Sequence, residues 1–201
     1  MTLENKLGIT DPIVLAHEEE RISKVEALGM YADGTLDALK PGSLSALVAI
    51  HERLFGGLYD FAGKIRTVNL AKGGFRFAPA LYLAQALRAV EAMPQGTFDQ
   101  IAEKYVEMNV AHPFREGNGR SGRIWLDHML RVELGRTVDW FVIPREDYLL
   151  AMERSPVRDT EIRQLLENAL TDQVNDRELY MHSIDASYAY EGYTAFRAEE
   201  V

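Results

Sequence analysis

The sequence predicts a mainly α-helical chain, a compact helical bundle with one β-hairpin. Helix start and stop signals recur along its 201 residues, and only the stretch 64–77 breaks the helical pattern. The chain also lacks cysteine, so neither a disulfide framework nor a thiolate metal site can organise it. The length points to one domain spanning 1–201, and 47% hydrophobic residues is ordinary for a globular chain.

Each element follows from local chemistry. Thr10-Asp11-Pro12 opens a first helix reaching Gly29, with Pro12 in the first turn, where its missing N–H does no harm. Ser43 caps a second helix that ends at Phe55, before Gly56-Gly57. In 64–77, Ile65, Val68 and Leu70 favour a strand, Phe75-Arg76-Phe77 alternates, and Gly73-Gly74 marks a turn; these residues read as a hairpin with an exposed edge able to pair with a peptide. Helices resume from Pro79 to Met93. Thr97 with Gln100 resembles a capping box for the next one, which must stop at His112 because Pro113 disfavours helical geometry before it. A loop 113–119 leads into a helix over 120–134, closed by Gly135. Helices are then expected over 145–153, 159–170 and 176–190.

The formal charge of −9 argues against a direct nucleic-acid binder, since non-specific affinity for phosphate comes mainly from Lys and Arg. The N-terminus lacks the layout of a signal peptide, and the most apolar stretch, 44–50, is too short to span a bilayer. A cytoplasmic location without membrane association is the expectation.

The chemistry gathers in His112-Pro113-Phe114-Arg115-Glu116-Gly117-Asn118-Gly119-Arg120-Ser121-Gly122-Arg123. Gly117 and Gly119 flank Asn118 just before a helix, where unpaired N–H groups and the positive end of the dipole form an anion cradle. Arg120 and Arg123 add planar guanidiniums suited to phosphate. His112 can take a proton near neutral pH, and Glu116 is a hard oxygen ligand for Mg²⁺ shared with phosphates. Taken singly, Gly-Asn-Gly is usually a turn, a His before Pro a helix end, and a pair of arginines a solvated face. Together they specify phosphoryl or nucleotidyl transfer.

This loop resembles the motif His-x-Phe-x-(Asp/Glu)-Gly-Asn-Gly-Arg-x-x-Arg of the Fic family at every fixed position. The runs 54–63 and 72–77 look like the approach to that family's flap hairpin and the flap itself, and the resemblance covers about 44–192. It implies the Fic fold, with the catalytic loop at 112–123 and the flap at 64–77. The implied activity is transfer of AMP from ATP to a Ser, Thr or Tyr hydroxyl of a target protein and of the enzyme itself. His112 would be the base and Glu116 the holder of Mg²⁺ or another divalent cation. Gly117, Asn118 and Gly119 would form the cradle, with Arg120 and Arg123 on the phosphates and Phe114 anchoring the loop. Lys72 is a nucleotide-contact candidate, and Gly73, Gly74 and Phe75 would dock the target by strand addition.

Ser187-Tyr188-Ala189-Tyr190-Glu191-Gly192 resembles the family's inhibitory motif (Ser/Thr)-x-x-x-Glu-(Gly/Asn), here in a C-terminal helix over 176–192. Ser187 and Glu191, four apart, share a helix face, and Gly192 suits the helix stop. By resemblance, Glu191 pairs with Arg123 and blocks the γ-phosphate site. Tyr188 and Tyr190 are candidates for self-modification. Some relatives also remove AMP, and some form homo-oligomers that keep the helix closed. Among targets, the resemblance suggests a type II topoisomerase subunit such as gyrase. The alternatives are transfer of UMP or GMP, or a catalytically silent interaction module.

Overall fold

The computed structural model describes residues 2–72 and 75–201, with Lys72 described by its backbone alone. Helix α1, Pro12–Ala32, is capped by the Asp11 carboxylate, which accepts the amides of Ile13 and Val14. It runs past the expected stop at Gly29. That glycine answers a close approach rather than a helix end, since a Cβ there would lie 3.0 Å from Arg53 Nη2. Helix α2, Leu44–Phe55, starts on the Ser43 hydroxyl as expected.

Strands β1, Ala71–Lys72, and β2, Phe75–Arg76, pair antiparallel with Ala71 opposite Arg76 and Lys72 opposite Phe75. The expected hairpin over 64–77 is thus paired only near its outer end. The Leu70 carbonyl still accepts the Phe77 amide at 3.2 Å, but residues 64–69 form no strand pair, and the Val68 carbonyl goes to the Arg66 guanidinium instead of a neighbouring strand. Gly73 and Gly74, expected at the tip, lie outside the described residues, as does the Lys72 side chain.

Helices α3, Ala80–Glu91, and α4, Phe98–Ala111, follow. Thr97 caps α4, but the Gln100 side chain reaches the amide of Gly96 rather than that of Thr97, so the capping box closes one residue early. Helix α5, Asn118–Leu134, begins two residues before the expected Arg120 and ends on left-handed Gly135. Helices α6, Arg145–Arg154, α7, Thr160–Asn168, and α8, Arg177–Ala189, complete the set. A second antiparallel pair, β3 (Thr137–Val138) with β4 (Leu170–Thr171), corrects the expectation of a single hairpin. Its strands are two residues long and far apart in sequence, too short for alternation to be seen.

Helix α5 runs through the centre, against α2, α4 and α8, and α1 packs on both α2 and α8. Trp125, Leu126, Met129 and Leu130 of α5 are buried together with Ile50 and Leu54 of α2 and Ile101 and Tyr105 of α4. Each fully buried side chain of this kind contributes about 1.5–3 kcal/mol of transfer free energy. The first turn of α5 is thereby set on a rigid base. No described helix is long and apolar enough to cross a membrane.

Candidate active site

His112 caps the C-terminus of α4 with φ 51° and ψ 66°, the one described non-glycine residue with positive φ. Pro113 disfavours helical geometry here, and the left-handed turn aims the chain back across α5. The imidazole stacks on Phe77, just after β2, with centroids 3.6 Å apart. Its Nδ1 faces the Asn109 carbonyl at 3.3 Å. A proton on Nδ1 makes Nε2 the basic nitrogen.

The loop after His112 is built from short contacts. The Asn118 amide clamps Phe114 from both sides, accepting its N–H at 2.9 Å and donating to its carbonyl at 2.8 Å. The Asn118 side chain therefore shapes the loop, and only its backbone is placed for an anion. Phe114 is fully buried and stacks on His51 at 3.8 Å. His51 accepts the Gly63 amide on Nδ1 and donates from Nε2 to the Glu116 carbonyl at 2.8 Å. Burial holds this imidazole neutral, its pKa lowered to about 4. Gly117, at φ 77°, lies so close to Phe55 that a Cβ would come within 2.4 Å of the ring. The Gly117 amide donates to Glu116 Oε1 at 3.1 Å. The Glu116 side chain is 43% exposed. Its pKa is raised by burial, and the Glu191 and Glu19 charges add to this against the pull of Arg120.

The two arginines of the first turn have different partners. Arg120 is fully buried and donates to Glu19 Oε1, from α1, at 2.7 Å. Phe55 and Tyr193 lie over its guanidinium at 4.7 and 4.5 Å. Glu19 also accepts the hydroxyls of Tyr59 and Tyr193. Burial would raise its pKa, but Arg120 and these hydroxyls outweigh burial and lower it. Arg120 Nε is 3.8 Å from Glu191 Oε2, and Nε and Nη1 make no hydrogen bond among the described residues.

Arg123 turns to α8 instead. Its Nε donates to Ser187 Oγ at 2.6 Å, and its Nη2 donates to the Ser187 carbonyl at 2.7 Å and to Glu191 Oε1 at 2.8 Å. The expected pairing of Glu191 with Arg123 is present, although Glu191 lies beyond the last helical residue, Ala189, in a tightened turn that Gly192 leaves at φ 89°. The carboxylate sits directly on the α5 N-terminus: a Cβ on Gly119 would lie 2.1 Å from Glu191 Oε1. Tyr188 is fully buried, with its hydroxyl pKa pushed up by burial to about 12. Tyr190 is buried and donates to the carbonyls of Trp140 and Ile143.

The fold thus brings Glu116, Gly117, Gly119, Arg120, Arg123, Ser187 and Glu191 around one end of α5, and His112, at the end of α4, opens the loop that leads into it. Phe75, on β2, lies edge-on to Phe77, which reaches His112. Glu19, His51, Arg66 and Tyr193 carry no motif in the sequence that marks them as part of the site. Glu19 and Ser23 carried a signal: they lie at four-residue steps between Leu15 and Ala27, on the buried stripe of α1.

Residues 41–130 match the model of the Fic/DOC family. The chain is 28% identical to the protein adenylyltransferase VbhT of Bartonella schoenbuchensis over 94% of its own length and 44% of that protein's, so it spans less than half of that relative. It is also 28% identical to the probable protein adenylyltransferase Fic of Salmonella typhimurium, over 85% of this chain and 88% of that one. The fold is similar to that of the Bartonella tribocorum effector BepC, solved with bound AMPPNP, at TM-score 0.72 and 22% identity over 86% of this chain and 94% of that one. The matched stretch takes in the hairpin and the whole loop 112–123, so the chain is similar to the Fic/DOC family there, and the likeness to BepC shows the same fold.

Proposed function

We propose that this chain is a protein adenylyltransferase, moving AMP from ATP to a hydroxyl of a target protein, and that Glu191 holds it inactive. The carrying observation is the seat of the Glu191 carboxylate. An anion lies over the Gly119 backbone at the N-terminus of α5, within reach of two buried guanidiniums. A triphosphate presents the same chemistry and would take that seat once the carboxylate leaves. The names of the relatives support the same reading.

In this reading His112 takes the proton of the incoming hydroxyl, whose oxygen attacks the α-phosphorus as pyrophosphate leaves. Such transfers depend mainly on alignment and charge stabilisation. The backbone of Gly117, Asn118 and Gly119 cradles the phosphates, with Arg123 on the γ-phosphate. Arg120, whose Nε and Nη1 lack hydrogen-bond partners among the described residues, gains one from the nucleotide. Glu116, a part-exposed carboxylate beside the α5 N-terminus, would hold Mg²⁺ or another divalent cation together with substrate phosphates. The cation would supply charge neutralisation and alignment of the phosphates. The hairpin, with Phe75 on its second strand, would receive the target backbone by strand addition. Tyr188 and Tyr190 are buried, so their self-modification requires α8 to leave its seat. A type II topoisomerase subunit is the candidate target.

The test uses ATP labelled on its α-phosphate, with cell lysate as target. Glu191→Gly is expected to raise incorporation well above the unaltered chain. His112→Ala in that background lowers it by about 10²–10⁴-fold, the usual loss for a general base. Mass spectrometry of the labelled band separates AMP from UMP or GMP. Equal labelling with and without His112 would end the assignment.

A further inference from the structure

The Arg66 side chain lies where the hairpin, α4 and the loop after His112 meet. It is 3% exposed and has no carboxylate partner among the described residues. A buried cation without a counter-ion is costly unless fully hydrogen-bonded. Every guanidinium nitrogen of Arg66 donates, and to backbone oxygens alone. Its Nε donates to the His112 carbonyl at 2.7 Å. Its Nη1 donates to Val68 at 2.6 Å, and its Nη2 to Ala78 at 2.6 Å and Ala111 at 3.1 Å. Its own amide donates to the Pro113 carbonyl at 2.8 Å. Two of these carbonyls, Ala111 and His112, end α4, the negative pole of that helix. The other two, Val68 and Ala78, are the feet of the hairpin on either side of β1 and β2.

We propose that Arg66 is a positioning residue that fixes the hairpin and the His112 imidazole at one set separation. This rests on the reading of His112 as the base and of the hairpin as the target's dock. The Ala78 amide adds a bond to the Val110 carbonyl at 3.0 Å, and Phe77 carries the hairpin onto the imidazole face. The backbone that receives the acceptor segment and the nitrogen that deprotonates its hydroxyl therefore share one anchor. A misplacement of about 1 Å in such a geometry costs on the order of 10²-fold in rate. Lysine cannot replace the fork: its ammonium donates from a single point and cannot span carbonyls on three segments.

The experiment uses the full chain in the Glu191→Gly background. Arg66→Lys is expected to lower kcat for incorporation about tenfold and Arg66→Gln about a hundredfold, while KM for ATP stays within about twofold, since Arg66 touches none of the proposed phosphate-binding residues. A second readout needs no activity. With isotope-labelled histidine, the His112 ring resonances, assigned by their loss in His112→Ala and displaced by the Phe77 ring, shift toward the values of an exposed histidine in Arg66→Lys. Unchanged kcat together with an unmoved His112 signal overturns the proposal. So does a lysine variant that unfolds outright, because Arg66 is then only scaffold. A Glu191→Gly parent that takes up no label sinks the transfer reading, and the histidine signal still decides the anchoring.

Discussion

The first turn of α5 is gripped from two sides that use the same kinds of side chain to different ends. On the side of α1 and α2, Glu19 holds Arg120 and His51 holds the loop, all of them buried and each tied to further partners. On the side of α8, Ser187 and Glu191 hold Arg123, but Glu191 is 17% exposed and sits in a turn after the helix has ended. Glu19 belongs to the middle of a long helix and cannot leave without undoing the core. Glu191 lies after the helix, in a turn flanked by Tyr190 and Tyr193, and only this turn has to move for its carboxylate to leave, as the proposed function requires. On the proposed reading, a carboxylate on an arginine becomes an anchor or a lock according to how its own backbone is held.

The largest test of this contrast is stability. Glu19→Ala leaves Arg120 buried and without its close carboxylate partner, and is expected to cost about 3–5 kcal/mol in urea unfolding. Glu191→Ala leaves Arg123 both of its Ser187 bonds and should cost about 1 kcal/mol. Equal losses would break the comparison.

Acid should loosen the anchoring side before anything else. The folded pKa of His51, about 4, lies below its unfolded value of 6.5, so the native state binds fewer protons between those values. Its contribution is complete above pH 6.5 and is lost as pH falls toward 4. The loss is about 2 kcal/mol by pH 5 and about 3 kcal/mol in all. Glu19, with its pKa lowered, contributes above its unfolded value of 4.5 and loses that contribution only in stronger acid. Burial raises the Asp127 carboxyl to about 7, which acts with the opposite sign over the same range, so the His51 window is read as the difference in urea midpoint between the chain and His51→Gln at pH 7 and at pH 5. A difference that is the same at both pH values would show that His51 is not held neutral.

The smallest effect sharpens the locking side. Ser187→Ala removes one bond to Arg123 Nε and leaves Glu191 in place. The lock should weaken by about 1 kcal/mol, read as roughly a fivefold rise in labelling from α-labelled ATP. No rise would mean that Ser187 shapes α8 without contributing to closure.

Much of the site could be read because its residues are close in sequence. His112 to Arg123 form one loop and one helical turn, so spacing alone places the imidazole, the glycines and the arginines together. The helix starts at Asp11, Ser43 and Thr97 were legible for the same reason, each capping side chain acting within three residues. Glu19 and Arg66 were not. Nothing near Glu19 in sequence says that it meets Arg120, and nothing near Arg66 says that its donors end on Ala78 and Ala111. The hairpin was overdrawn because the strand-friendly Ile65, Val68 and Leu70 cannot reveal that a guanidinium takes the Val68 carbonyl.

The sequence by itself determined the helical character, the starts of the helices and the composition of the reactive loop, because these follow from short-range sterics and hydrogen bonds between near neighbours. Tertiary structure alone decided which carboxylate each arginine received, and that the Glu191 oxygen lies on the Gly119 backbone. Those pairings join segments up to 101 residues apart, and the packing of α1 and α8 against α5 sets them, because desolvation makes every buried charge take the partner that the core brings within reach.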